Sequence, residues 1–319
     1  MQAVFAVTFP FFALVLCGWL AARSRLLPEA AIPGLNLFVL YFALPCLLFR
    51  FGAATPLAQL LDPTVLGVYA LAGLAIVAFT IVLTRSPRVH LKDAAFGALV
   101  AAFPNLGFMG VPMLVGLLGP AVVGPLSATI LFDIVVTSSL CVGIAQAHDA
   151  AGRGRGATLA NALIGTAKNP LPWAIVLGAA ASVAGVVLPR PIEQVVKMLG
   201  DAATPVALFS IGSVLWRAGQ HVHTRTPPAL FLPVALIKLL AHPALVWALG
   251  SAAIALGAPL SAFNLKVLVL AAALPSASNV SLMAERYEAD NGRVTRIIMA
   301  STVLAFVTFS LLAALFGAQ

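Results

Sequence analysis

Two short stretches hold most of the residues able to do chemistry in an otherwise apolar chain: PNLGFMGVP, Pro104 to Pro112, and PSASN, Pro275 to Asn279. Proline lacks a backbone N–H and glycine lowers helix stability, so each stretch interrupts a helix and frees carbonyls and amides. Asn105, Ser276, Ser278 and Asn279 add side-chain donors and acceptors at those breaks. A broken helix also turns the partial positive charge of a new N-terminus toward an anion. That is the chemistry of a site for a small carboxylate, and it makes Pro104, Asn105, Gly107, Pro275, Ser276, Ser278 and Asn279 the candidate substrate-binding residues. The competing reading is a pair of kinked helices whose serines and asparagines serve the backbone locally.

Two ionisable residues, Asp133 and Lys238, fall deep inside apolar runs, where a charge costs about 2.5 to 3.5 kcal/mol on insertion scales. Both are expected to face protein rather than lipid. Thr129, Asp133 and Thr137 recur every fourth residue as one polar stripe, and Lys238 and His242 share a helix face. These spacings make Asp133 and Lys238 candidates for coupling or charge compensation. The alternative is a packing pair, or polar groups bonded to the backbone freed at the breaks. Asp201 reads instead as a cap or dipole partner near the start of a helix.

The elements that must position these residues are membrane helices. Of 319 residues, 61% are hydrophobic and 9% charged, and the mean hydropathy is +1.06. No soluble core needs that much apolar surface, so the class is all-α integral membrane protein in contact with the lipid bilayer, which excludes soluble enzymes and nucleic-acid binders. Cys17, Cys46 and Cys141 have no CxxC or metal-ligand spacing. Gly152, Gly154 and Ala157 have GxGxxA spacing but follow an apolar run, not a strand. No P-loop, HExxH or GxSxG motif occurs, so neither an enzyme nor a cofactor is expected, while coupling to protons or Na+ stays open. The first residues read as a retained span.

Ten apolar runs of spanning length are expected: Ala3 to Ala22, Ile32 to Gly52, Thr64 to Thr84, Ala94 to Leu118, Val122 to Ala147, Pro170 to Leu188, Ile192 to Trp216, Pro228 to Leu256, Lys266 to Tyr287 and Val294 to Gly317. Most basic residues, from Arg23 and Arg25 to Arg293 and Arg296, fall in loops opposite the N-terminus. Only Arg50, Arg190, Lys197 and Lys266 share its side. The positive-inside rule then places both termini outside and makes the segment around Ala150 cytoplasmic. Pro28 and Pro189, Pro45 and Pro205, and Pro104 and Pro275 lie 161, 160 and 171 residues apart, which suggests a five-span unit used twice. An odd number of spans inverts the second copy, a device of secondary transporters. The expected organisation is one membrane domain, 1–319, comprising a first repeat at 1–147, a connector at 148–167 and a second repeat at 168–319.

The motifs NLFVLYFALPCLLF, PNLGFMGVP, KNP, LGDAATPVALFSIG, IKLLAHP and LPSASNVSLMAERYEAD follow one another along most of the chain. In that order they resemble the auxin efflux carrier family, which includes bacterial permeases for small carboxylates and plant auxin carriers. The resemblance implies ten helices in two inverted five-helix repeats, similar to bile-acid sodium symporters, with spans four and nine crossing at unwound centres. It also implies organic-anion transport in the inner membrane by an elevator-type movement, and a scaffold of spans one, two, six and seven that forms homodimers. A bile-acid-like symporter coupled to sodium or protons, or an ion exchanger, is the alternative. The anion, the direction of transport and the coupling ion do not follow from the resemblance.

Overall fold

The computed structural model describes residues 2–56, 62–149, 170–220 and 226–316. The expected connector from Ala150 onward, with its GxGxxA spacing, and Lys168 of the KNP motif lie outside the described residues.

The described chain is helical, with α1 Gln2–Arg23, α2 Glu29–Ala54, α3 Pro63–Thr84, α4 Leu91–Ala102, α5 Leu106–Leu118 and α6 Pro120–Gln146 in its first half. The second half comprises α7 Pro170–Val183, α8 Arg190–Gln220, α9 Pro228–Ala255, α10 Ala262–Ala273, α11 Val280–Arg286 and α12 Asn291–Leu315. Six of them, α2, α3, α6, α8, α9 and α12, hold a segment long and apolar enough to cross a membrane, and four more apolar helical segments are shorter. Two of the ten expected runs, the fourth and the ninth, are each divided into a pair of short helices.

Local chemistry sets these starts and interruptions. Asp62 opens α3 by accepting from the backbone amides of Thr64 at 2.9 Å and Val65 at 3.1 Å, with Pro63 in the first turn. Ser261 and Asp290 cap α10 and α12 in the same way. Widened π-turns occur at Val39–Ala43, Leu106–Gly110 and Ile237–Ala241, and each ends two residues before a proline: Pro45, Pro112 and Pro243. A proline ring crowds the carbonyl four residues earlier, which here falls inside the wide turn. A fourth π-turn, Asp133–Thr137, has no such proline.

Glycines let four helices meet backbone to backbone. A Cβ added at Gly18 of α1 would lie 1.8 Å from the Phe209 carbonyl oxygen of α8, and one at Gly212 of α8 would lie 1.8 Å from that of Val15. Likewise, a Cβ at Gly178 of α7 would lie 2.1 Å from the Phe49 oxygen of α2, and one at Gly52 would lie 2.2 Å from that of Ile175. Every residue of the first contact pair has its counterpart 160 positions away in the second: Gly18 and Gly178, Phe49 and Phe209, Gly52 and Gly212, Val15 and Ile175. Small residues of this kind replace hydrophobic driving force where helices pack in lipid. The other helices pack around α4 and α10, with α3 on α4 and α9, α4 on α6, and α9 on α10 and α12.

Two sequence expectations are corrected. Asp201 is no helix start: α8 begins at Arg190, and Asp201 pairs at 2.7 Å with Arg50 of α2. Arg293, counted as a loop charge, is 1% exposed inside α12. Its Nε donates to the Leu230 carbonyl at 2.8 Å and its Nη1 to that of Asp93 at 2.9 Å, fastening α12 to α9 and α4.

Candidate functional site

The breaks between α4 and α5 and between α10 and α11 meet face to face. The Asn105 amide donates to the Pro275 carbonyl at 2.8 Å, and the Ala277 amide donates to the Phe103 carbonyl at 3.0 Å. This is one antiparallel bridge centred on Pro104 and Ser276, residues 172 apart. Each break thus supplies the partner that the other lost, so extended backbone is satisfied in the interior of a helical protein.

Side chains complete the exchange. In a continuous helix the amide of residue 104 would bond to the Val100 carbonyl, but Pro104 has no N–H. The Ser276 hydroxyl donates to that carbonyl at 2.7 Å instead. The Ser276 amide, itself released by the second break, donates to Ser301 Oγ at 3.2 Å. Its former acceptor, the Ala272 carbonyl, receives Lys238 Nζ at 2.7 Å. Ser276 and Lys238, both 0% exposed, therefore serve the interrupted backbone.

The predicted substrate residues divide into two groups. Pro104, Asn105, Pro275 and Ser276 are buried at the crossing, and the Asn105 carbonyl accepts from the amides of Met109 and Gly110. Gly107 is half-buried, and none of these five lines the large cavity beside the crossing. Ser278 and Asn279 do line it. The cavity measures about 860 Å³, and its walls include Phe108 of α5, Asn36 of α2, Arg217 of α8 and Arg296 of α12. It extends from the second break to Glu29 at the start of α2 and Asn291 at the start of α12.

Sequence reasoning missed Asn36, Arg217 and Arg296 as cavity residues. Asn36 is a lone amide in an apolar run, which was its only signal, and its Oδ1 accepts from the Ser210 hydroxyl of α8. The two arginines had been absorbed into the topology count. Arg296 also donates to the Thr226 carbonyl at 3.2 Å and lies 6.0 Å from the Phe231 ring centroid.

Asp133 and Lys238 do not pair directly: no ion pair within 4.0 Å joins them. Asp133 accepts from the Tyr69 hydroxyl of α3 at 2.7 Å and from Thr137 at 3.0 Å. The expected polar stripe is only partly used, because Thr129 donates to the Leu126 carbonyl instead. Lys238 Nζ lies 3.2 Å from His242 Nδ1, and the Tyr69 and His242 ring centroids are 6.0 Å apart, so both charges belong to one buried cluster bridged by Tyr69. Tyr69 was not foreseen, since only the fold brings it to an acid 64 residues away.

Relatives extend along nearly the whole chain. A protein of Rhizobium meliloti (strain 1021) with the name "Putative malonate transporter" is 28% identical over 316 residues, 97% of this chain and 94% of its own length. "Uncharacterized transporter YfdV" of Escherichia coli (strain K12) is 27% identical over 308 residues, 93% of this chain and 92% of its own. An "Uncharacterized transporter" of Methanothermobacter thermautotrophicus is 26% identical over 301 residues, 93% of each chain. The family described as "Membrane transport protein" matches residues 3–151 and 156–313. With interrupted helices crossing beside a large cavity lined in part by polar residues, and family signatures over both halves, this chain belongs to the membrane transport protein family, that of the auxin efflux carriers, and is a multi-pass membrane transporter and not an enzyme.

Proposed function

We propose that the protein is a secondary transporter of small organic anions, built from ten spans in two inverted five-helix repeats and working by an elevator-type movement. The observation that carries this reading is the reciprocal pair of backbone bonds at Pro104 and Ser276 beside the 860 Å³ cavity. Exchanging positions 172 apart maps one of those bonds onto the other, as a two-fold axis between inverted copies would. The glycine contacts related by 160 residues support the same symmetry in α1, α2, α7 and α8. In this reading those four helices are the static scaffold, the surface through which homodimers form, and the crossing helices move past it.

Ser278 and Asn279 bind one end of the anion, and Arg296 and Arg217 supply positive charge in the same cavity. Arginine suits a carboxylate because its planar fork can offer two parallel donors. Pro104, Asn105, Gly107, Pro275 and Ser276 shape the crossing that holds these groups at mid-depth. The name of the Rhizobium relative makes malonate the first substrate to try. By the positive-inside rule the cavity mouth near Glu29 and Asn291 lies on the cytoplasmic side of the inner membrane, with both termini opposite, so the conformation is inward-open.

The test is uptake of radiolabelled malonate and a panel of mono- and dicarboxylates into proteoliposomes. Saturable uptake of at least one carboxylate, lost in Asn279→Ala with Ser278→Ala, is the expected result. Robust uptake by that double variant would place the anion elsewhere.

A further inference from the structure

At each break a side chain meets one of the freed interior carbonyls, and the chain treats the two differently. Val100 O receives a neutral hydroxyl, that of Ser276. Ala272 O receives the amino group of Lys238, which is 0% exposed. Ala272 stands in the last turn of α10, where unsatisfied carbonyls concentrate partial negative charge, and the carbonyl ends of broken helices are where secondary transporters hold coupling cations.

We infer that Lys238 is a tethered cation: its Nζ fills the position at the open end of α10 that a free coupling cation would otherwise take, so transport proceeds without sodium at this site. The inference rests on the reading of the second break as part of the moving, substrate-binding element.

The geometry around Lys238 fits a permanent occupant. The π-turn Ile237–Ala241, widened ahead of Pro243, carries Lys238 on the stretch of α9 that packs on α10. An ammonium can only donate, so His242 Nδ1, 3.2 Å away, acts as acceptor and the ring proton resides on Nε2. Among the described residues Nε2 has no hydrogen-bond partner, so the ring's polar contact is the one that Nδ1 makes with Lys238. The acid of the same cluster is Asp133, held there by Tyr69 and Thr137. One acid, one amino group and one helix terminus offset one another in a buried cluster, and a further monovalent cation would be uncompensated there.

The test uses full-length protein, wild type and two variants. Lys238→Ala removes both donor and charge. Lys238→Gln keeps a side-chain donor without the charge, and its melting temperature reports whether the fold is kept. Melting temperature in detergent is read in NaCl against N-methylglucamine chloride at equal ionic strength, which requires no knowledge of the substrate, and carboxylate uptake is read in the same two salts. Wild type is expected to melt and transport identically in both. Lys238→Ala is expected to melt several degrees lower in N-methylglucamine and to recover part of the loss in NaCl, because the vacated carbonyl end then accepts Na+. Lys238→Gln is expected to fold yet transport about tenfold more slowly, as the charge is missing. Sodium-dependent melting or uptake of the wild type, or a Lys238→Gln variant transporting at the wild-type rate, would overturn the inference. If no carboxylate is transported by the wild type while the sodium response of Lys238→Ala appears, the substrate reading fails and the tethered cation stands.

Discussion

The break after α4 and the break after α10 share a backbone geometry but not a chemistry. At the first, Pro104 and Asn105 are buried, and the lost helix bond is replaced by a hydroxyl reaching across from Ser276. At the second, Lys238 and Ser301 service the backbone, and Ser278 and Asn279, two and three residues beyond Ser276, line the cavity. Symmetry of backbone therefore does not carry symmetry of side-chain chemistry. In the proposed function the first break is the frame and the second the reading face, with Phe108 as the first break's nearby contribution to the cavity wall.

The largest effects should come where the two halves are still alike. Gly18→Ala and Gly178→Ala each push a methyl into a backbone oxygen of a neighbouring helix, at 1.8 Å and 2.1 Å. Each is expected to cost roughly 3 kcal/mol or more, the upper end for overpacking, and to lower the melting temperature in detergent by similar amounts. A large loss for one and none for the other would break the equivalence of the α1–α8 and α2–α7 contacts. Gly67→Ala, with nothing within 4 Å, is the control and should leave the melting temperature unchanged or slightly raised.

Next in size is Ser276→Ala, which strips the Val100 carbonyl of its donor and should cost about 1 to 3 kcal/mol, as for any buried acceptor left alone. Tyr69→Phe removes one of two donors to Asp133 and should cost about 1 to 2 kcal/mol, again read as a fall in melting temperature. The smallest stability effect belongs to Ser278→Ala and Asn279→Ala, under about 0.5 kcal/mol each, because their side chains face an open cavity. Their effect on uptake should instead be the greatest of the set. If Ser276→Ala were as benign as Ser278→Ala, the distinction between frame and reading face would collapse.

How much of this was legible in the sequence depended on how local the causes were. The interruptions were visible because proline and glycine act on their own turn, and Pro45, Pro112 and Pro243 also marked the π-turns for a reader expecting a ring to widen the helix before it. The inward orientation of Asp133 and Lys238 was legible from the cost of charge in lipid. Their partners were not: Ser276 reaches a carbonyl 176 residues away and Lys238 one 34 residues away, separations that composition and periodicity do not encode. Arg217 and Arg296 were missed as cavity residues because a basic residue near a span end looks the same whether it faces solvent or a cavity. The burial of Arg293 escaped for the same reason.

The most direct test of the cavity as the substrate site is protection of Ser278 from chemical modification. Ser278→Cys is placed in a background with Cys17, Cys46 and Cys141 replaced by alanine, and its reaction with a small thiol reagent is timed in inside-out vesicles with and without a transported carboxylate. Slower labelling that tracks the concentration dependence of uptake, with labelling of a surface control cysteine unchanged, is the predicted result. Labelling at an unchanged rate under saturating substrate would contradict the assignment of the second break as the anion site.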